Sequence, residues 1–344
     1  MKTRKKQYTH LSAVLLLLCI SFSLGSCKEK NKPSEMASTQ ETPKTAATNW
    51  AEKLGWPTGK KVIILHADDI GMCPEANTAA EKLMTNNFIQ SSAVMIPCPN
   101  AEDFINWAID NPKMDVGLHL TLTSEWKNYR WGTVTEKSEV PGLLDPTFKM
   151  WESTLEVVQH ASAEEVEKEI RAQIEQSIAW GYTPDHIDTH MGSLYGDPSY
   201  VAVYLKIAQE YGIPGSIFDL SEDKVVQELR AIGYPITDEV IKLVENYSLP
   251  KLDYFTSAPK ADTYKEKITA FKTLISTLEP GLTEIIFHPS VETQNLKGIT
   301  YSWKQRVWEA KMFGDPDLIN FFKNEGIIFT NWKEIMKKFR NVDK

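Results

Sequence analysis

Short runs of β-branched and other apolar residues alternate along the chain with longer segments whose apolar residues recur every three or four positions. The first run, KVIIL at 61–65, predicts a buried strand that is followed directly by the polar cluster HADD at 66–69. Further strands are predicted at 92–96, 115–120, 186–189, 216–220, 284–288 and 326–330. Strands that alternate with helices predict an α/β fold built on a parallel sheet.

Helical segments lie between the predicted strands. Residues 75–86 contain neither Pro nor Gly and present an alanine-rich apolar face, and 101–110 form a second candidate helix. Ser162 and Glu165 have the spacing of a capping box, and the apolar positions that follow end at Gly181. About seven strand–helix units with polar strand ends favour a single catalytic domain that is a TIM-like (β/α) barrel. An open doubly wound sheet is the alternative, and it would place ligands at the same strand ends.

The amino terminus has the layout of a bacterial lipoprotein signal. Basic residues precede an apolar run at 11–24, which is too short for a comfortable membrane span. The run ends in LGSC, which resembles a lipobox, so we predict a signal peptide at 1–26 and a lipid on Cys27. A flexible tether at 27–49 and a folded domain at 50–344 would follow. The protein would then be exported and anchored to a membrane, facing the periplasm or the cell surface; a plain signal peptide or uncleaved anchor is the alternative.

Composition and charge narrow the class of partner. The chain is 42% hydrophobic and 24% charged, which excludes a disordered or coiled-coil protein. Its net charge is −8, and loss of the four basic residues before Cys27 leaves 34 basic and 46 acidic residues, or −12. With no basic stripe, a nucleic-acid partner is excluded and a neutral substrate is favoured. Only Cys73 and Cys98 would remain as thiols, with a bridge between them left open, and the sequence does not determine the oligomeric state.

Histidines and aspartates concentrate where the predicted strands end. The cluster comprises His66, Asp68, Asp69, His119, His186, Asp188 and His190, and His288 ends a later strand. Imidazole and carboxylate groups are the expected ligands of a catalytic Zn²⁺ or a related divalent ion, and one Asp with two His leaves a coordination position for water. For any single histidine, a hydrogen-bonded place in the core is the alternative.

The adjacent aspartates need separate roles. Side chains of successive residues on an extended strand point in opposite directions, so Asp68 and Asp69 reach one site only if the chain bends there. One of them would bind the metal and the other would act as a base beside it. Capping of the following helix is the alternative for one of the pair.

Four ordered motifs carry a resemblance to a known family: HADDIG at 66–71, VGLHLTLT at 116–123, HIDTH at 186–190 and FHPS at 287–290. In this order they resemble the carbohydrate deacetylases of the YdjC and chitooligosaccharide deacetylase type, over residues 60–332. The resemblance implies an irregular TIM-like barrel, a divalent metal ion and hydrolytic removal of acetyl groups from N-acetylated mono- or oligosaccharides. Zn²⁺ and Mg²⁺ both remain open.

The family's functional residues carry over onto matching positions. The resemblance implies that Asp68 is the catalytic base, that Asp69, His119 and His190 bind the metal, and that His288 is the general acid. It implies further that Asp188 and His186 support the ligating histidines. The chain departs from the family at His66, where Asn is usual, and at Gly192, where a further histidine is frequent. Both departures concern the sugar pocket rather than an implied ligand.

Aromatic residues near the motifs are candidates for sugar stacking. Trp126, Trp131 and Tyr195 could each present a ring to a pyranose, with ordinary packing as the alternative. Arg306 and Glu309 stand one helical turn apart and predict a local ion pair. Two rival functions stay open: a metal-dependent esterase or phosphohydrolase on the same scaffold, and a non-catalytic glycan-binding lipoprotein. Phosphate would call for Arg or Lys, and none lies inside the four motifs.

Overall fold

A computed structural model describes residues 49–231 and 233–342. The predicted signal peptide, Cys27 and the predicted tether up to residue 48 lie outside the described residues. Within the described ranges, no helix combines the length and the apolar character needed to cross a bilayer. Cys73 and Cys98 are both buried and free.

Parallel strands form one curved sheet around a central strand. They are β1 (Lys61–Ile70), β2 (Ser91–Val94), β3 (Val116–Leu120), β4 (Ile187–Thr189), β5 (Tyr254–Ser257), β6 (Gly281–Phe287) and β7 (Ile328–Phe329). The order is β4-β3-β2-β1-β6-β5, and β7 pairs with the start of β1. Every residue of β1 after Lys61 is buried, because β1 has β2 on one side and β6 on the other. The α/β fold and the parallel sheet are thus confirmed.

An irregular segment joins the two outer strands of this order. Gly215 forms a single parallel bridge with Ile187 of β4, and Phe218 forms another with Leu252, just before β5. The sheet therefore curls into an irregular (β/α) barrel, as predicted. The strand predicted at 216–220 is wrong, because two isolated bridges replace a continuous ladder there. Strand β5 was not predicted, since it is short and its residues alternate between half-buried and exposed.

Helices connect the strands and cover the barrel. They are α1 (Trp50–Lys53), α2 (Pro74–Thr85), α3 (Ala101–Asp110), α4 (Thr154–His160), α5 (Ala163–Ala179), α6 (Pro198–Tyr211), α7 (Asp223–Ala231), α8 (Asp238–Glu245), α9 (Tyr264–Thr277), α10 (Gln294–Ile299), α11 (Trp303–Met312), α12 (Pro316–Glu325) and α13 (Trp332–Val342). Short 3₁₀ helices span Pro141–Leu143 and His190–Tyr195. The predicted capping box is present, with Ser162 and Glu165 each bonding the other's backbone N–H at the start of α5.

Candidate active site

A bulge in β1 brings both aspartates to one cavity. The pairing of β1 with β2 shifts register between Ala67 and Ile70. Within that shift Asp69 adopts a φ of 61°, a left-handed conformation that Asp tolerates better than most residues with a β-carbon. Asp68 and Asp69 therefore line the same cavity instead of pointing to opposite faces of the sheet. The bulge is thus the bend that both aspartates need in order to reach one site.

Three candidate ligand atoms converge at the strand ends. The Oδ1 atom of Asp69 lies 3.5 Å from His119 Nε2 and 3.3 Å from His190 Nδ1. All three residues are buried, and their ligand atoms lie within 4.8 Å of one another. Asp69 Oδ1 is buried and has no hydrogen-bond partner among the described residues. An unpaired buried carboxylate oxygen beside two imidazole nitrogens fits a divalent cation, so the residues present suit a metal centre.

The far nitrogen of each candidate histidine is held by a carboxylate. His119 Nδ1 bonds Asp188 Oδ1 at 2.6 Å, and His190 Nε2 bonds Glu125 Oε2 at 3.0 Å. Because carboxylates accept hydrogen bonds, these nitrogens carry the protons. His119 Nε2 and His190 Nδ1 can then face Asp69 with free lone pairs. Metal-binding histidines are oriented in this way by outer carboxylates.

Arg306 binds the second oxygen of the same aspartate. Its Nη2 donates to Asp69 Oδ2 at 2.6 Å, and its guanidinium carbon lies 5.3 Å from the centroid of Trp126. The predicted ion pair with Glu309 is wrong. Glu309 instead accepts from Lys267 Nζ at 2.7 Å, because α11 packs its two charged side chains towards different neighbours. Arg306 therefore fixes one oxygen of Asp69 and leaves the other for a cation.

Burial and neighbouring charges shift the pKa values of these groups. Burial opposes the charge on His119, but the carboxylates of Asp188 and Asp68 outweigh it and raise its pKa well above the usual value. Burial also lowers the pKa of His190, but the carboxylates of Glu125 and Asp69 outweigh this effect and raise the pKa to about 9. Despite its burial, Asp69 has a pKa well below its usual value, because Arg306 and nearby histidines favour the carboxylate. The carboxylates around His119 and His190 thus favour a positive charge on these rings, and Asp69 keeps its negative charge between them.

A buried histidine lies behind the aspartates. The Nε2 of His66 is 2.9 Å from Asp188 Oδ2 and 3.1 Å from Asp68 Oδ1. Its Nδ1 contacts the hydroxyl of Ser91 at 3.1 Å, and that hydroxyl donates to Asp115 Oδ1 at 2.6 Å. Because Ser91 uses its only proton on Asp115, His66 Nδ1 is the donor in their contact. His66 therefore connects Asp68 to Asp188, the residue that orients His119.

His186 lies away from the candidate metal ligands. Its Nδ1 is 3.2 Å from Asp115 Oδ1, and its ring stacks on Trp332 with 5.9 Å between centroids. A Cβ at position 117 would lie 2.3 Å from His186 Nε2, so Gly117 makes room for the ring. The structure thus places His186 in the core, with a ring nitrogen within 4.8 Å of ligand atoms of His66 and Asp188, whereas Asp188 lines the cavity and contacts His119.

His288 stands at the rim of the cavity directly after β6. Its Nε2 lies 4.0 Å from both Asp68 Oδ2 and Asp69 Oδ2, and 35% of its side chain is exposed. Its backbone N–H donates to Glu309 at 2.8 Å, which fixes the turn after the strand. This placement lets the imidazole face the aspartates on one side and a bound molecule on the other.

The aromatic residues that line the cavity, which we call the aromatic wall, include only one of the three candidates from the sequence. Trp126 and Trp131 are buried and pack edge-to-face at 5.3 Å, and Trp131 also contacts the ring of His190. Trp126 packs against the Arg306 guanidinium, and neither tryptophan is among the residues that line the cavity. Tyr195 does line it, together with Phe218, Tyr234 and Phe255. The cavity has a volume of about 310 Å³.

Sequence reasoning missed Glu125 and assigned Arg306 only a local ion pair, not its contact with Asp69. Glu125 stands two positions beyond the VGLHLTLT motif, so a carboxylate just after a strand end was an available signal. Arg306 offered no local signal, because its contact with Asp69 spans 237 residues of sequence.

The fold and the site define a (β/α) barrel with a candidate mononuclear metal centre at the carboxyl ends of its strands. Residues 62–324 match the family described as YdjC-like protein, and the chain belongs to that family. A carbohydrate deacetylase of Thermus thermophilus is 30% identical over 272 residues, covering 78% of this chain and 91% of the relative. Another, from Thermoanaerobacter pseudethanolicus, is 22% identical and covers 79% and 98%.

A solved structure shares the fold. It is a crystal structure of a candidate cellobiose-phosphate cleavage protein from Enterococcus faecalis, with a TM-score of 0.65 and 22% sequence identity. The similarity covers 80% of this chain and 98% of that protein. It supports the barrel architecture described above.

Proposed function

We propose that the chain is a metal-dependent carbohydrate deacetylase that hydrolyses acetyl groups from N-acetylated sugars or oligosaccharides. The observation that carries the proposal is the convergence of Asp69 Oδ1, His119 Nε2 and His190 Nδ1 beside Asp68 and His288. Family membership and relatives named carbohydrate deacetylase support the same reaction.

The three convergent atoms would hold the metal ion. Two imidazoles with one carboxylate suit Zn²⁺ or a related transition ion better than Mg²⁺, which prefers oxygen ligands. When bound, such an ion supplies Lewis-acid activation of the acetyl carbonyl and of water. Arg306, Asp188 and Glu125 keep the ligand atoms in place, because each bonds the opposite atom of one ligand.

Asp68 would accept the proton of the attacking water at its Oδ2, which faces His288 across 4.0 Å. His66 Nε2 forms an ion-pair contact of 3.1 Å with the other oxygen, Oδ1. His288 would donate a proton to the departing amine, which is a poor leaving group without it. Each such proton transfer contributes about 10²- to 10⁴-fold to the rate.

Among the described residues, the cavity offers no uncommitted Arg or Lys to a phosphorylated substrate. Five carboxylates line it, those of Asp68, Asp69, Glu125, Asp188 and Glu284. The guanidinium of Arg306 is bound to Asp69 and stacked near Trp126, so it is committed to the site's own framework. A neutral acetylated sugar avoids repulsion from the carboxylates, and its apolar face fits the aromatic wall. The lack of a free Arg or Lys among the lining residues favours a deacetylase over a phosphohydrolase.

Acetate release tests the proposal. Metal-loaded wild type should release acetate from members of a panel of N- and O-acetylated mono- and oligosaccharides. A chelator should abolish the release and added Zn²⁺ should restore it. Sugar binding without acetate release from any panel member would identify a glycan-binding protein instead. Release from O-acetylated sugars alone would identify an esterase.

We also propose that the mature protein is lipid-anchored through Cys27, on the basis of the signal-like sequence at 1–27. Cys27→Ala should move the protein from the membrane fraction to the soluble fraction. Cys19→Ala, a matched change inside the apolar run, should leave it in the membrane fraction. Equal distribution of wild type and Cys27→Ala between the fractions would contradict the anchor.

A further inference from the structure

A fully buried histidine stands behind the two aspartates of the candidate site. His66 lies in β1, and none of its side chain is exposed. It is not among the residues that line the cavity, so it does not contact a molecule bound there. Within the described ranges its hydrogen bonds and ion pairs are with Ser91 and with carboxylates, and none of the three candidate metal ligands is a partner. Any effect of His66 on the reaction must therefore pass through its neighbours.

Both ring nitrogens of His66 face hydrogen-bond acceptors. Nδ1 donates to the hydroxyl oxygen of Ser91, because the proton of that hydroxyl is donated to Asp115. Nε2 lies 2.9 Å from Asp188 Oδ2 and 3.1 Å from Asp68 Oδ1, and an ionised carboxylate can only accept. A neutral imidazole carries one N–H group, whereas an imidazolium carries two. The contacts of His66 therefore require the positively charged ring.

The charges around the ring favour the same state. Glu284 Oε2 lies 3.9 Å from Nδ1, so three carboxylates lie within 4 Å of the ring nitrogens of His66. The ring of His186 also packs against it, edge-to-face with 5.0 Å between centroids. Burial opposes a charge on His66, but the three carboxylates, with Glu284 foremost, outweigh burial and raise its pKa well above the usual value. A cation at this position offsets part of the negative charge that the carboxylates concentrate in the barrel.

Asp68 divides its two oxygens between different neighbours. Oδ2 lies 4.0 Å from His288 Nε2 at the rim of the cavity. Oδ1 is buried and forms ion pairs with His66 Nε2 at 3.1 Å and with His119 Nδ1 at 3.9 Å. The nearer donor is His66, since His119 Nδ1 donates to Asp188 at 2.6 Å. Without the charge on His66, a buried carboxylate oxygen would lose its nearest cation, which is unfavourable unless the side chain turns.

We propose that His66 is a charged positioning residue, an imidazolium that pairs with Oδ1 of Asp68 and so keeps Oδ2 directed at the cavity. The same N–H group contacts Asp188 Oδ2, so one ring links the proposed base to the carboxylate that orients His119. Ser91 belongs to this arrangement, because its hydroxyl leaves Nδ1 no role but donation. The inference rests on the proposed function and adds to it a requirement for a cation behind the base.

Nitrogen NMR tests the charge directly. In Zn²⁺-loaded wild type labelled with ¹⁵N in its histidine rings, both nitrogens of His66 should carry a proton at pH 7. An ordinary histidine, with a pKa of about 6.5, is mostly neutral at this pH. The His66 signals are those that disappear in His66→Asn or, if that variant does not fold, those that shift in Ser91→Ala. One unprotonated nitrogen in wild type at pH 7 would overturn the proposal.

Kinetics of acetate release test the positioning role. Asn at position 66 keeps an NH₂ donor for a carboxylate but carries no charge. In His66→Asn, kcat should fall by about ten- to a hundred-fold, the scale for a displaced reactive group, while KM and bound Zn²⁺ stay within about two-fold of wild type. Ser91→Ala should lower kcat in the same direction but less. Ser92→Ala is the matched control, because this neighbouring buried hydroxyl contacts Met84 instead of His66, and its kcat should not change.

Other results would contradict the positioning role. These are an unchanged kcat in His66→Asn, or a loss of Zn²⁺ that accounts for the whole loss of activity. Thermal unfolding shows which variants fold, and if His66→Asn does not, equal kcat values of Ser91→Ala and Ser92→Ala reject the role. If wild type releases no acetate from any sugar, the proposed function fails and the positioning role with it. The NMR measurement decides on the charge of His66 in either case.

Discussion

Replacing Asp188 by Asn tests whether outer carboxylates organise the metal centre. Asp188 accepts from His119 Nδ1 at 2.6 Å through one oxygen and contacts His66 Nε2 at 2.9 Å through the other. An amide offers one oxygen and one NH₂ group, so it cannot accept from both histidines. One of the two contacts must therefore break or reverse. If the NH₂ group faces His119, the proton of that ring moves to Nε2, which is the nitrogen that faces Asp69.

The expected loss is in metal affinity. Loss of the carboxylate that orients a ligating histidine typically lowers the metal affinity about 10- to 100-fold. This corresponds to about 1.4 to 2.8 kcal/mol, since each tenfold step is about 1.4 kcal/mol at 25 °C. The protein should still fold, because the change preserves the volume of the side chain. Turnover at saturating metal should fall less than turnover at limiting metal.

Competition with a fluorescent chelator measures this affinity directly, and circular dichroism confirms the fold. Asp197→Asn is the matched control: Asp197 caps the start of α6, and Asn caps helices equally well. The control should bind Zn²⁺ as wild type does. A Zn²⁺ affinity of Asp188→Asn within two-fold of the wild-type value would refute the reasoning.

The remaining predictions concern the aspartate pair, pH and the thiols. Asp68→Asn should keep its metal while acetate release falls by about 10²- to 10⁴-fold, and Asp69→Asn should lose metal and activity together; metal analysis showing the reverse would exchange the two roles. Because the pKa of His190 is raised to about 9 and only the neutral ring binds an ion, apparent Zn²⁺ affinity should rise as pH increases from 6 towards 9; a flat titration contradicts this. Burial raises the pKa of the Cys73 thiol to about 12 and that of Cys98 well above its usual value. Iodoacetamide at pH 8 should therefore label both thiols only after unfolding, as measured by peptide mass spectrometry. Rapid labelling of the native protein would show that at least one thiol is accessible.

Local signals explain which parts of the fold could be predicted. The capping box of Ser162 and Glu165 depends on neighbours three residues apart, and β1 is encoded in a continuous apolar run, so both were found from the sequence. Residues 216–220 also look like a strand, but their backbone groups pair with Ile187 on one side and Leu252 on the other at single positions. Tertiary geometry, rather than β-propensity, limits them to isolated bridges.

In the candidate site, too, some residues could be predicted from local signals and others depend on tertiary packing. His119 and Asp188 could be placed together because each stands on a strand whose carboxyl end meets its neighbour. Trp126 and Trp131 were candidates for sugar stacking, with ordinary packing as the alternative, and the sequence does not indicate that both are buried or that Trp131 packs on His190. The contact of Arg306 with Asp69 depends on how α11 packs against the barrel, and no spacing rule reports it.

The bulge of β1 has a consequence for protein engineering. Grafting two adjacent aspartates onto a regular strand of another parallel barrel would send one carboxylate inward and the other outward. A transplanted site would therefore need the register shift between Ala67 and Ile70 as well as the two side chains. Deleting either aspartate here would remove that extra residue and restore a regular pleat. The pair is thus a property of the backbone of β1, and the smallest transferable unit is the bulged strand together with the neighbour that tolerates it.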